Sequence, residues 1–188
     1  MLRKLVIFAV ILAIVGAAAF WFITMPATVP ASALAPYAPN PENGARMFHA
    51  GGCASCHATP NQEDKTRLGG GLALKSPFGT FFTPNISPDR KDGIGNWSEA
   101  DFLTAMWKGT SPDGSHYYPA FPYTSYQHMK MEDVRDLFAY LKTRPRSRAS
   151  RATMSCRSIS RSAACWEAGN SFILTAGNSS PIPRSWRR

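Results

Sequence analysis

Residues 53–57 read Cys-Ala-Ser-Cys-His. Two thiols three positions apart can each add across one vinyl group of a haem, and the histidine that follows is then held under the iron as its proximal ligand. Cys53, Cys56 and His57 are therefore the candidate cofactor site, with one covalent haem c as the cofactor and His57 as the proximal iron ligand. A structural zinc site would need a second ligand pair, and residues 58–144 contain no further cysteine. A thioredoxin-like redox pair wants a strand leading into a helix. Here Gly51 and Gly52 come directly before Cys53 instead.

Three helices must position this motif. The first begins at Asn40-Pro41-Glu42, which supplies a capping residue, a proline at the first helical position and an acid at the positive end of the dipole. It runs through Ala45 and Phe48 and stops at Gly51-Gly52, delivering the chain into the motif. The second begins at Ser98 with Asp101 three residues on, a variant of the capping box. Its apolar stripe is Phe102, Leu103, Met106 and Trp107, and Gly109 ends it. The third spans Glu132 to Lys142, with Val134, Leu137, Phe138 and Leu141 on one face, and Pro145 closes it. Between them lie turns at Gly69-Gly70-Gly71, Ser76-Pro77-Phe78-Gly79 and Ser111-Pro112-Asp113-Gly114. The triple glycine lacks the Lys-Ser/Thr of a phosphate loop and reads as a tight turn near the haem. Asp89 and Asp92 read as turn residues.

Upstream, Arg3 and Lys4 precede 19 uncharged residues from Leu5 to Ile23, about one crossing of a bilayer core. The run is long for a signal peptide. Phe20, Trp21 and Phe22 stand at its far end, where an aromatic belt belongs. Those two features favour a retained anchor over a cleaved signal, although Ala31-Ser32-Ala33 offers a cleavage pattern. In either case the chain beyond Thr24 is exported, which places the haem domain in the periplasm, and the anchor reading attaches it to the cytoplasmic membrane. The organisation expected is a membrane helix over 1–24, a Pro/Ala-rich extended spacer over 25–40, the haem domain over 41–145, and a tail over 146–188.

That tail differs in kind. Residues 145–188 hold eight arginines and ten serines but no lysine, aspartate, histidine or tyrosine. Residues 1–144 carry 13 basic and 11 acidic side chains, whereas 145–188 carry eight and one. The net charge of +9 thus belongs mostly to the tail, which reads as disordered. Export, and the lack of any hydrophobic period in the tail, argue against nucleic acid as a partner. Cys156 and Cys165 have no following histidine, so they make no second haem site, and no role follows for them.

Helix, C-x-x-C-H, long loop, middle helix, loop and final helix form the layout of an all-α c-type cytochrome. Thr83-Pro84-Asn85-Ile86-Ser87-Pro88-Asp89, Gly93-Ile94-Gly95-Asn96-Trp97-Ser98, Asp101-Phe102 and Tyr118-Pro119-Ala120-Phe121-Pro122-Tyr123 sharpen this. Across residues 41–144 the chain resembles the cytochrome c subunits of membrane-bound alcohol, aldehyde and gluconate dehydrogenases. The resemblance implies an electron carrier, with a dehydrogenase subunit or a respiratory-chain acceptor as partner. Members carry two or three such domains, whereas this chain has one C-x-x-C-H. Its tail reads as an out-of-frame or truncated end of a longer relative.

The sixth iron ligand departs from that resemblance. Relatives often have methionine where this chain has Phe121, and phenylalanine cannot bind iron. Met129 is the expected distal ligand, although a packing role at the entrance of the last helix accounts for it equally well. Met131, His128 and His116 are the alternatives. The remaining aromatic residues of this region, Tyr117 and Tyr126 among them, read as walls of the haem crevice, and His49 as a surface residue. A second function class stays open beside electron transfer, a haem enzyme or ligand sensor with an open distal site. A non-haem metal or disulfide protein is the third.

Overall fold

The computed structural model describes residues 2–76 and 79–148. Most of the Arg/Ser-rich tail, with Cys156 and Cys165, lies outside the described residues. Helix α1, Leu2–Ile23, is apolar and fully exposed, and it is long enough to cross a membrane.

The Pro-rich segment after α1 is extended apart from a single turn at Ala31–Ala33. It does not stand free of the domain, however. The Val29 N–H donates to Thr104 Oγ1 at 2.9 Å, and Arg135 donates to the Ala35 carbonyl at 2.8 Å. Asp136 accepts from the Tyr37 hydroxyl at 3.0 Å and from the Asn40 N–H at 2.7 Å. At the α1 end, His116 Nε2 lies 2.9 Å from the Thr24 carbonyl and donates to it. Prolines leave few backbone donors for a sheet or helix, so the segment is held by single bonds to side chains of the domain.

Helix α2, Pro41–Ala50, starts where the sequence puts it. Asn40 Oδ1 accepts from the N–H groups of Glu42 and Asn43 at 3.0 and 3.2 Å. Its buried face, Gly44 and Phe48, crosses the last helix, α6, Met131–Lys142. A Cβ built on Gly44 would lie 2.0 Å from the Asp136 carbonyl oxygen and 2.7 Å from Tyr140 Cβ. Only glycine lets the two backbones approach this closely.

After a left-handed Gly52 (φ 63°) the chain makes one helical turn, α3, Cys53–His57. The long loop that follows contains a hairpin missing from the all-α expectation: β1, Ala73–Ser76, pairs antiparallel with β2, Gly79–Phe82. The tight glycine turn lies against this region. Gly70 N–H donates to the His57 carbonyl at 2.9 Å and Gly71 N–H to that of Thr83 at 2.8 Å. Asp89 is a turn residue, its Oδ1 accepting from the N–H groups of Lys91 and Asp92, both at 2.9 Å.

Helix α4, Glu99–Lys108, has the full capping box between Ser98 and Asp101, and Gly109 (φ 62°) ends it. A short turn, α5, Tyr123–Tyr126, leads into α6, Met131–Lys142. The core is Phe48, Leu68, Leu103, Val134, Leu137 and Leu141, all at most 2 % exposed. Phe102 of α4 stacks on Phe138 of α6 with ring centroids 4.8 Å apart. The buried faces of α2, α4 and α6 thus make one contiguous cluster.

Candidate functional site

A mostly apolar cavity opens beside α3, between the 83–97 loop, α4 and the segment leading into α6. Cys53, Cys56 and His57 all lie on its wall, so the three residues singled out by spacing share one space. The cavity is also lined by residues of α4 (Phe102, Ala105, Met106) and by Tyr117, Phe121 and Tyr126.

His57 is oriented by the backbone. Its Nδ1 lies 2.8 Å from the Pro84 carbonyl oxygen. A carbonyl only accepts, so Nδ1 carries the proton and the Nε2 lone pair is left free. A second bond of this kind is how metal-binding histidines are usually held in tautomer and orientation. Burial drives the imidazole below its ordinary pKa, outweighing the opposing effect of the Pro84 bond. The ring is therefore neutral at pH 7, as a ligand must be.

The Cys53 thiol lacks the activated character of a redox or thiolate-metal cysteine. Burial pushes the Cys53 thiol up to about 11, and the neighbouring Cys56 adds to this against a local backbone hydrogen bond. Reactive dithiols have the opposite shift. No group of three or more His, Cys, Asp or Glu that could hold a metal ion occurs among the described residues. Two thiols, one neutral imidazole with a free nitrogen and an apolar wall fit a covalently attached haem. Gly51 lies on the same wall. Tyr126 in turn donates to the Gly51 carbonyl at 3.1 Å, which ties α5 to the motif.

The other expected ligands are not on the cavity wall. Met129 is partly buried and packs against the core at the entrance to α6, and Met131 packs similarly. His128 is exposed. His116 is exposed and engaged with Thr24. Phe121, at the position where the resemblance would put a ligand, does line the cavity, with Tyr117 and Tyr126 edging its ring at centroid separations of 5.4 and 5.7 Å. The methionine that lines the cavity is Met106, 5 % exposed. Helical spacing puts it in the apolar stripe of α4, and a helical period does not separate a cavity wall from a packed core. Lys142 reads in the sequence only as a dipole partner. Its Nζ donates to the carbonyls of Ile94 and Gly95, both at 2.8 Å, and of Trp97 at 3.3 Å. It thereby fixes the loop that forms one side of the cavity.

Comparison with known proteins gives a family. The cytochrome c family model matches residues 41–145. A protein of Cereibacter sphaeroides named diheme cytochrome c-type is 48% identical over 149 residues, covering 78% of this chain and 50% of that protein. A nicotinate dehydrogenase subunit of Pseudomonas putida is 47% identical over 100 residues, 53% of this chain and 8% of its own length. The fructose dehydrogenase cytochrome subunit of Gluconobacter japonicus is 40% identical over 114 residues, 61% of this chain and 22% of its own. The chain spans half the length of the first of these relatives and smaller shares of the other two.

Proposed function

The chain belongs to the cytochrome c family, whose cofactor is covalent haem c, and from that premise we propose that it is a monohaem electron carrier serving a dehydrogenase at the cytoplasmic membrane. The observation that carries this reading is the His57–Pro84 bond at 2.8 Å on the wall of an apolar cavity shared with both thiols. When bound, the haem supplies an iron that takes up and gives back one electron.

Every other task falls to the protein. Cys53 and Cys56 would hold the haem through thioether bonds formed by addition of each thiol across a vinyl group. His57 would offer Nε2 to the iron, and the Pro84 carbonyl fixes which nitrogen that is. Phe102, Tyr117, Phe121 and Tyr126 exclude water from the cavity, which keeps the dielectric around the iron low and tunes its potential. The dehydrogenase partner is supported by relatives that are named as subunits of nicotinate, fructose, alcohol and gluconate dehydrogenases.

Haem attachment is tested by staining denatured protein for haem peroxidase activity after expression with haem-maturation machinery. The unmodified chain should stain, and Cys53→Ala together with Cys56→Ala should abolish the signal. Staining that survives the double change overturns the assignment. Helix α1 is proposed as a retained anchor that leaves the haem domain in the periplasm. Carbonate-washed membranes should keep the full-length chain, and a mature species starting near Leu34 would show a cleaved signal instead.

A further inference from the structure

We propose that Met106, on α4, supplies the sulfur ligand on the distal side of the iron. The assignment rests on the haem reading above, with His57 as the proximal ligand. Among the described residues that line the cavity, His57 and Met106 are the only histidine and the only methionine. The position where relatives carry a methionine is filled here by Phe121, which lines the cavity but offers no donor. Met129, Met131, His116 and His128 are absent from the cavity wall. Met129 packs against the core cluster at the entrance to α6, on a segment whose turns are closed by the bonds from Gln127 N–H to the Tyr123 carbonyl at 2.8 Å and from Met129 N–H to that of Tyr126 at 2.9 Å.

Met106 has the opposite circumstances. It sits on the same helix face as Phe102, one turn earlier, and beside Ala105, and both share the cavity wall. Its helix is capped at both ends and stacked on α6 through Phe102 and Phe138. The backbone that carries the sulfur is therefore rigid. The side chain has three rotatable bonds and fills irregular space easily, so the sulfur can adjust without backbone movement. A thioether in this position favours ferrous iron and raises the potential, as suits a carrier that hands electrons onward.

The test uses the full-length protein carrying covalent haem, with Met106→Leu and Met129→Leu compared. Both changes keep volume and apolar character, and gel staining with far-ultraviolet circular dichroism reports haem retention and fold. Ferric unmodified protein should show the weak far-red sulfur-to-iron band. Met106→Leu should lose the band, lower the reduction potential and let the ferrous form bind carbon monoxide, while Met129→Leu should leave all three unchanged. Loss of the band only in Met129→Leu overturns the assignment, as does a band retained in both variants. So does a high-spin or bis-histidine spectrum in the unmodified protein. A protein that never stains for haem would instead bring down the haem reading itself. A second measurement needs no variant. In the ferrous protein, the methionine methyl shifted upfield by the haem should cross-relax with Phe102 or Ala105 protons, whereas cross-relaxation with His128 or Lys130 overturns the proposal.

Discussion

Replacing Gly44 with alanine should separate the two helices on which the haem domain is built. The added methyl carbon would lie 2.0 Å from the Asp136 carbonyl oxygen, 2.6 Å from its carbon and 2.7 Å from Tyr140 Cβ. All three belong to backbone or to the first atom of a side chain, so no rotamer change relieves them. The helices must part by roughly 1 Å, and a gap of that size forfeits up to about half of each dispersion contact across it. The crossing carries Phe48 against Tyr140, with ring centroids 5.4 Å apart. A large buried side chain is worth about 1.5–3 kcal/mol, so losing half of that at both costs about 1.5–3 kcal/mol. Alanine returns about 1 kcal/mol through helix propensity. A net destabilisation of about 0.5–2 kcal/mol follows, or a fall in Tm of about 2–16 °C for a domain of this size. Thermal unfolding followed by circular dichroism measures it, with Gly16→Ala, which meets nothing within 4 Å, as the control. A variant as stable as the parent would refute the argument, because helix propensity would then have outweighed a backbone collision.

Two further changes probe the polar framework. Burial alone would raise the Asp136 carboxyl, but the Asn40 N–H, the Asn43 amide, the Tyr37 hydroxyl and the Arg135 charge outweigh it and hold the group below its ordinary value. Its stabilisation is therefore complete above the unfolded pKa of about 3.9 and is lost as pH falls through the lower folded value. Asp136→Asn should cost about 1–3 kcal/mol at pH 7 and flatten the acid limb of a stability–pH curve, and an acid limb identical to the parent's would count against this. Lys142→Met removes the three bonds to the Ile94, Gly95 and Trp97 carbonyls. It should cost about 2 kcal/mol in denaturant titration and alter Trp97 fluorescence, and unchanged emission would mean that the loop holds itself.

The helices are legible in the sequence because each has a cap and a regular apolar face: Asn40 before α2, the Ser98–Asp101 box before α4, and Val134, Leu137, Phe138 and Leu141 along α6. The gathering of Cys53, Cys56 and His57 on one cavity wall is legible for a different reason, since a fixed short spacing survives in one dimension. The Pro84 carbonyl is not, because it acts through backbone 27 residues away and has no side-chain signature. The hairpin at 73–82 escapes a sequence reading because four-residue strands give too short an alternation. Met106 is visible, but its helical spacing says only that it faces inward. Tyr37, Asn40 and Arg135 give no sign from composition that the Pro-rich segment lies on the domain.

That segment has a kinetic consequence. A free chain of the 16 residues from Met25 to Asn40 would give the domain a reach of about 50 Å, enough to swing between a donor and an acceptor at different heights above the bilayer. Stitched at Thr24, Val29, Ala35, Tyr37 and Asn40, the domain gives up that reach. With α1 retained in the bilayer, its search for redox partners becomes two-dimensional. Lateral drift brings the partner and the orientation is set in advance, so turnover should track the surface density of donor and acceptor rather than the length of the leash.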